Sequence, residues 1–165
     1  MNRAVDRRTI FLSDRDYWAF VDLLQEGTAK SLVSIFGYCV MPNHWHILLR
    51  ALSDNSVSAY MKWLQTTHVR RYRGFYGTVG NGHLYKERFR HVMVDGEASF
   101  LRELRYVEAN AAKAYLTKRS EDWRWSSGFE RRMQHRQILS PLPFQLPPGW
   151  CKLLAAYVDE CHRSA

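Results

Sequence analysis

Apolar positions recur with helical spacing between Asp14 and Gly27, where Tyr17, Phe20, Val21 and Leu24 fall on one stripe. Ser13 or Asp14 can cap that helix, and Gly27 is expected to end it. Leu32 to Val40 is short, β-branched and aromatic-rich and reads as a strand; His44 to Ala51 reads as a second. Met41-Pro42-Asn43 between them predicts a tight antiparallel turn. Ser56 to Tyr72 is a second helix with Val57, Tyr60, Met61 and Leu64 on one face, and glycine-rich residues 74–82 form a loop. His83 to Val94 alternates polar and apolar residues like a third strand, and a long helix follows from Asp95 or Gly96 to about Leu116. After Thr117, WRWSS is turn-like, LSPLPFQLPPGW holds four of the five prolines, and Trp150 to Cys161 can form a last amphipathic helix. This order predicts an α+β fold, an antiparallel sheet with helices packed on it. A ferredoxin-like sheet of four strands would need one more before the first helix, and only the short, charged segment Ala4 to Leu12 is available.

A length of 165 residues suits one domain with a real core, and 46% hydrophobic residues exclude a largely disordered chain. No apolar run is long enough to span a bilayer, and residues 1–11 lack the apolar block of a secretory signal. Three scattered cysteines, Cys39, Cys151 and Cys161, fit free thiols in a reducing cytoplasm. The net charge of +8 suggests a polyanionic partner, and its distribution sharpens that reading. Between Tyr60 and Met93 stand seven basic residues (Lys62, Arg70, Arg71, Arg73, Lys86, Arg88, Arg90) against Glu87 alone, a local net of +6. Seven aromatic residues share the stretch. Basic side chains neutralise phosphates, and exposed rings stack on unpaired bases at about 1–3 kcal/mol each. Any single ring here fits a core position more readily; the cluster as a whole points to nucleic acid.

In a strand over His44-Trp45-His46, the two imidazoles share one face and the indole takes the other. Two histidines so spaced can share a divalent metal, and they can equally be structural or surface residues. The helix over residues 98–116 adds a second feature. Its apolar stripe is Leu101, Leu104, Ala111 and Ala112, while Arg102, Tyr106, Asn110 and Lys113 lie along a polar face suited to phosphate. Asn110 could complete an N,O ligand set of the kind that suits Mg²⁺ or Mn²⁺ better than a closed zinc site. There is no CxxC for zinc and no GxxxxGK[ST] for a nucleotide, and Cys39 in an apolar strand is a poor nucleophile.

YCVMPNHWHILL, the glycine-rich loop followed by GHLYKERFRHVMV, RYVEANAAKAYL and WRWSS together resemble REP-associated tyrosine transposases, from about Asn2 to Phe129. These are single-domain members of the His-hydrophobic-His (HUH) endonuclease superfamily, related to single-tyrosine insertion-sequence transposases. The resemblance implies an HUH fold over residues 1–119, with residues 120–165 as a Trp/Pro-rich extension packing on it. It implies His44, His46 and Asn110 as ligands of Mg²⁺ or Mn²⁺ and Tyr106 as nucleophile. The expected substrate is single-stranded DNA carrying hairpins of repetitive extragenic palindromes, cut near a flanking tetranucleotide through a 5′-phosphotyrosine. Contacts to that DNA are expected from Arg70, Arg71, Arg73, Lys86, Arg88, Arg90, Arg102 and Lys113, in a monomeric or homodimeric, nucleoid-associated cytoplasmic protein. The family usually reads Asn-Pro where this chain has Asn110-Ala111, so a smoother helix is expected. Relatives have residues before the Met1-Asn2-Arg3 equivalent, so either the start codon is assigned late or the first strand is shortened, and with this comes a rival reading as a catalytically silent hairpin-binding protein. A metal-dependent phosphohydrolase of small nucleotides is a further rival, one with no need of the basic, aromatic stretch.

Overall fold

The computed structural model describes residues 1–30, 33–80, 82–133 and 138–164. The fold is α+β, with a three-stranded antiparallel sheet and five α-helices among these residues. Strand β1 (Asn2–Arg3), helix α1 (Asp14–Lys30), strands β2 (Val33–Met41) and β3 (His44–Ala51), and helices α2 (Ser56–Tyr76), α3 (Gly96–Lys113), α4 (Ser127–Met133) and α5 (Trp150–Arg163) follow in chain order. The strand order β1-β3-β2 makes the His-Trp-His strand the central one. Pro42-Asn43 closes the expected tight turn; Leu32, the expected first residue of β2, lies outside the described residues. No helix among the described residues is long and apolar enough to cross a membrane.

Packing divides the chain into two compact units. The first comprises Met1–Ser34, Val40–Trp45 and Leu49–His91. Its core is aromatic: Phe20 lies against Phe11, Trp45 and His68 with ring centroids 4.9–5.5 Å apart. Trp45 Nε1 donates to the Tyr85 hydroxyl at 3.0 Å. The hydroxyl proton is thereby left for His68 Nδ1 at 2.6 Å, so the ring hydrogen of His68 sits on Nε2. Burial pushes the His68 imidazole down to about 4, which keeps it the neutral acceptor this network needs.

Three expectations need correcting in this unit. Gly27 does not end α1; it lies inside the helix where α2 approaches, and a Cβ there would stand 2.6 Å from Trp63 Cζ3 and 2.7 Å from Tyr60 Cε2. The start of α1 is held by the Asp16 carboxylate, whose Oδ2 accepts the backbone N–H of Ser13 at 2.9 Å and of Leu12 at 2.8 Å. Residues 83–94 are not a strand. They meet the amino-terminal segment through one bridge, Ala4 with Tyr85, and through single bonds such as Lys86 N–H to Arg3 O at 3.0 Å. The ladder cannot extend because its partner turns away into a 3₁₀ turn at Val5–Arg7, where Asp6 and Arg7 both have φ of 53°. The same turn occupies the segment Ala4 to Leu12, so the first strand is the two-residue β1 that precedes it.

The second unit comprises Ile35–Cys39, His46–Leu48 and the described part of Val92–Ala165. Leu104 Cδ1 lies so close to Gly37 that a Cβ there would come within 2.6 Å of it. Glu108, fully buried, accepts from Ser127 Oγ at 2.7 Å and Arg131 Nε at 3.0 Å through Oε1, and from Trp150 Nε1 at 2.8 Å through Oε2. One carboxylate of α3 thus ties down α4 and the start of α5, and consumes its charge on Arg131. α3 runs through Ala111 without interruption, as expected from alanine at that position. Helix α4 and a 3₁₀ turn at Ser120–Asp122 were not foreseen in the turn-like region around WRWSS.

Candidate functional site

β3 carries both histidines. His44 sits opposite Arg3 in the β1–β3 register. Its Nδ1 lies 2.6 Å from Asn43 Oδ1, an acceptor, so Nδ1 carries the hydrogen and Nε2 the lone pair. Burial first, then the Arg3 guanidinium and the chain's amino group, push the His44 imidazole down to about 4. Histidine is therefore in its neutral, metal-binding form at ordinary pH. His46, two residues on in the same strand, is buried in the second unit.

Opposite His46 stands α3. The Tyr106 ring meets the His46 ring edge to face, with centroids 5.5 Å apart and an interplanar angle of 82°. Asn110, one helical turn along, is buried and donates through Nδ2 to the Tyr106 carbonyl at 2.6 Å. That bond leaves the amide oxygen as the atom able to ligate a cation. Lys113 Nζ lies 4.9 Å from the Tyr106 ring centroid. Arg102, on the same helix, is exposed and bonds to Ser99 Oγ and Glu103. His46, Tyr106, Asn110 and Lys113 thus converge within the second unit. The donor chemistry of the His46 imidazole nitrogen and the Asn110 amide oxygen suits a divalent cation that keeps open positions for phosphate oxygens. No group of three or more His, Cys, Asp or Glu side chains placed to hold a metal occurs among the described residues.

The basic residues separate into three kinds. Arg70, Lys86 and Arg88 line a groove of about 620 Å³ with Gln65, Thr66 and His83. Lys86, Arg88 and Arg90 line a second, of about 460 Å³, together with Arg3, Arg7, Asp6 and Glu87, and Arg90 is paired there with Glu87 at 2.9 Å. Arg71 is paired with Glu26 at 2.9 Å. Arg73 is buried and donates to the carbonyls of Thr78 and Gly82, so its guanidinium secures the glycine-rich loop. Of the rings in this stretch, Tyr60 and Tyr85 are core, whereas Phe75 is 54% exposed, with Arg15 Cζ 4.1 Å from its centroid.

Sequence reasoning passed over Arg3 and Arg7, which folding carries to the basic groove, and Glu108. A carboxylate four residues after Leu104 on the apolar stripe is the signal that marks Glu108 as a buried anchor.

The family model for transposases of the IS200-like type matches residues 1–110. No curated protein sequence matches the chain. Among solved structures, the fold resembles that of a REP-associated tyrosine transposase bound to a REP hairpin. The TM-score is 0.65 at 16% sequence identity, covering 89% of this chain and 86% of the other.

Proposed function

The chain belongs to the IS200-like transposase family, and on that premise we propose that it cuts and rejoins single-stranded DNA at REP-type hairpins. The observation that carries this reading is the Tyr106–His46 contact, a phenol beside a buried imidazole with Asn110 one turn away. The hairpin preference is drawn from the similar structure, which holds a REP hairpin. The grooves lined by Arg70, Lys86, Arg88 and Arg90 suit its phosphates.

In this reading His44, His46 and Asn110 hold a divalent metal, which when bound supplies Lewis-acid polarisation of the scissile phosphate. The Tyr106 oxygen attacks phosphorus in line, forming the tyrosyl–phosphate bond as the P–O3′ bond breaks. The phenol gives up its proton and the departing 3′-oxygen takes one up, leaving a 3′-hydroxyl and a 5′-phosphotyrosine. One phosphodiester replaces another, so the reverse attack can rejoin strands without ATP. The phenolic oxygen turns negative as its proton leaves, and cations beside Tyr106 must offset that charge.

The test is a labelled single-stranded oligonucleotide carrying the hairpin and its flanking tetranucleotide, incubated with Mg²⁺ or Mn²⁺. A covalent protein–DNA adduct is expected from the wild-type protein, none from Tyr106→Phe, and none in EDTA. Hairpin binding without adduct from the wild-type protein would identify a silent binder instead.

A further inference from the structure

α5 lies on α3 in the second unit, with Leu154 and Val158 buried against Ala109 and Ala112. Its Tyr157 reaches two cations of α3. Arg105 Cζ stands 4.5 Å from the Tyr157 ring centroid and Lys113 Nζ 5.0 Å. Lys113 Nζ also donates to the Tyr157 hydroxyl, at 3.4 Å. The same ammonium is 4.9 Å from the Tyr106 centroid, so one charge is shared between two phenol rings, one on each helix. A lysine side chain carries about 2 kcal/mol of rotamer entropy, and with nothing to hold it the ammonium would spend its time in water. A ring face and a hydroxyl on the adjoining helix restrict it to the side of Tyr106.

We propose that Tyr157 is a positioning residue of the strand-cleavage site, holding Lys113 against Tyr106. There the ammonium favours the negative charge that gathers on the phenolic oxygen and the transferring phosphoryl group. The proposal rests on reading Tyr106 as the nucleophile. It makes Lys113 a group of the reacting centre rather than a general DNA contact, and it makes the C-terminal helix a working part of that centre.

The experiment measures, on the labelled hairpin oligonucleotide, the single-turnover rate of adduct formation at saturating DNA and, separately, the hairpin Kd. Tyr157→Leu is expected to slow adduct formation by about tenfold while leaving Kd within about twofold, the size of effect a lost cation–π contact allows. Tyr157→Phe keeps the ring and is expected to restore the rate. In a Lys113→Met background, Tyr157→Leu should cost nothing further, because its effect passes through the lysine. Lys113→Met carries the same expectation without altering α5, should Tyr157→Leu lower the unfolding midpoint. Wild-type rates in both Tyr157→Leu and Lys113→Met, with Tyr106→Phe inert, would overturn this proposal and leave the nucleophile reading standing. A Tyr157→Phe variant as slow as Tyr157→Leu would overturn the ring face as the holding force. An adduct from Tyr106→Phe, or none from the wild-type protein, would overturn the nucleophile reading and this proposal with it.

Discussion

Two glycines within helices of the first unit should respond to alanine with opposite signs. Gly27 in α1 and Gly74 in α2 each gain about 1 kcal/mol of helix propensity on becoming alanine. At Gly74 a Cβ meets nothing within 4 Å, so that gain should appear in full. At Gly27 the new methyl would stand 2.6 Å from Trp63 Cζ3 and 2.7 Å from Tyr60 Cε2, about 1 Å inside a comfortable carbon–carbon distance. Tyr60 cannot simply swing aside, because it is fully buried and its hydroxyl donates to Leu24 O at 3.3 Å. Overpacking two rings belongs near the upper end of the usual penalty, about 3 kcal/mol, leaving Gly27→Ala destabilised by about 2 kcal/mol. The two variants should therefore differ by about 3 kcal/mol in urea unfolding, read as a change in midpoint at constant slope. A Gly27→Ala protein as stable as wild type would refute the close helix contact. A destabilised Gly74→Ala would refute the propensity argument.

Glu108→Gln should cost about 3 kcal/mol by chemical denaturation. The amide must turn its N–H₂ toward Trp150 or Arg131, both donors only, and a stability equal to wild type would show that the carboxylate is not the anchor. For His68 the folded pKa is depressed from 6.5 to about 4, so the unfolded chain binds more protons in that window. Stability should fall as pH drops through it, by on the order of 3 kcal/mol, in addition to a loss of the same sign from His44. His68→Gln, which still accepts from Tyr85, should flatten the curve of unfolding midpoint against pH, and an unchanged curve would clear His68 of the effect. Arg88→Ala should weaken hairpin binding and lower the log–log salt slope by about 0.7–0.9, the value of one phosphate contact. Arg73→Ala should instead lower the unfolding midpoint, and a loss of salt slope without loss of stability would contradict its place under the loop.

The hairpin of β2 and β3 was readable because Pro42-Asn43 separates two short apolar and aromatic runs, and the start of α2 because Ser56 opens a clean helical stripe. Tyr106, Asn110 and Lys113 were readable as one face because helical spacing alone places them. What escaped depends on partners distant in sequence. Residues 83–94 alternate like a strand, but Val92 and Met93 are 80% and 87% exposed, and the amino-terminal segment meets residues 83–90 through one bridge and scattered single bonds rather than a ladder. Gly27 carries the signature of a helix end and acts as a contact point, a role visible only once Trp63 is beside it. Arg73 counts toward the basic stretch in a linear tally, yet folding spends its donors on carbonyls.

Tyr106 and Glu108 are two residues apart on α3, so they leave the helix on opposite sides, one toward His46 and the other toward Ser127, Arg131 and Trp150. On the proposed function, chemistry and architecture are thus written in alternate letters of one short word, YVEAN. A descendant could lose cutting by changing the tyrosine while its helices stay tied together, whereas losing the glutamate would cost it both. Among domesticated relatives, a chain that keeps the glutamate, the serine and the tryptophan but not the tyrosine is therefore expected to be a folded protein that has stopped cutting.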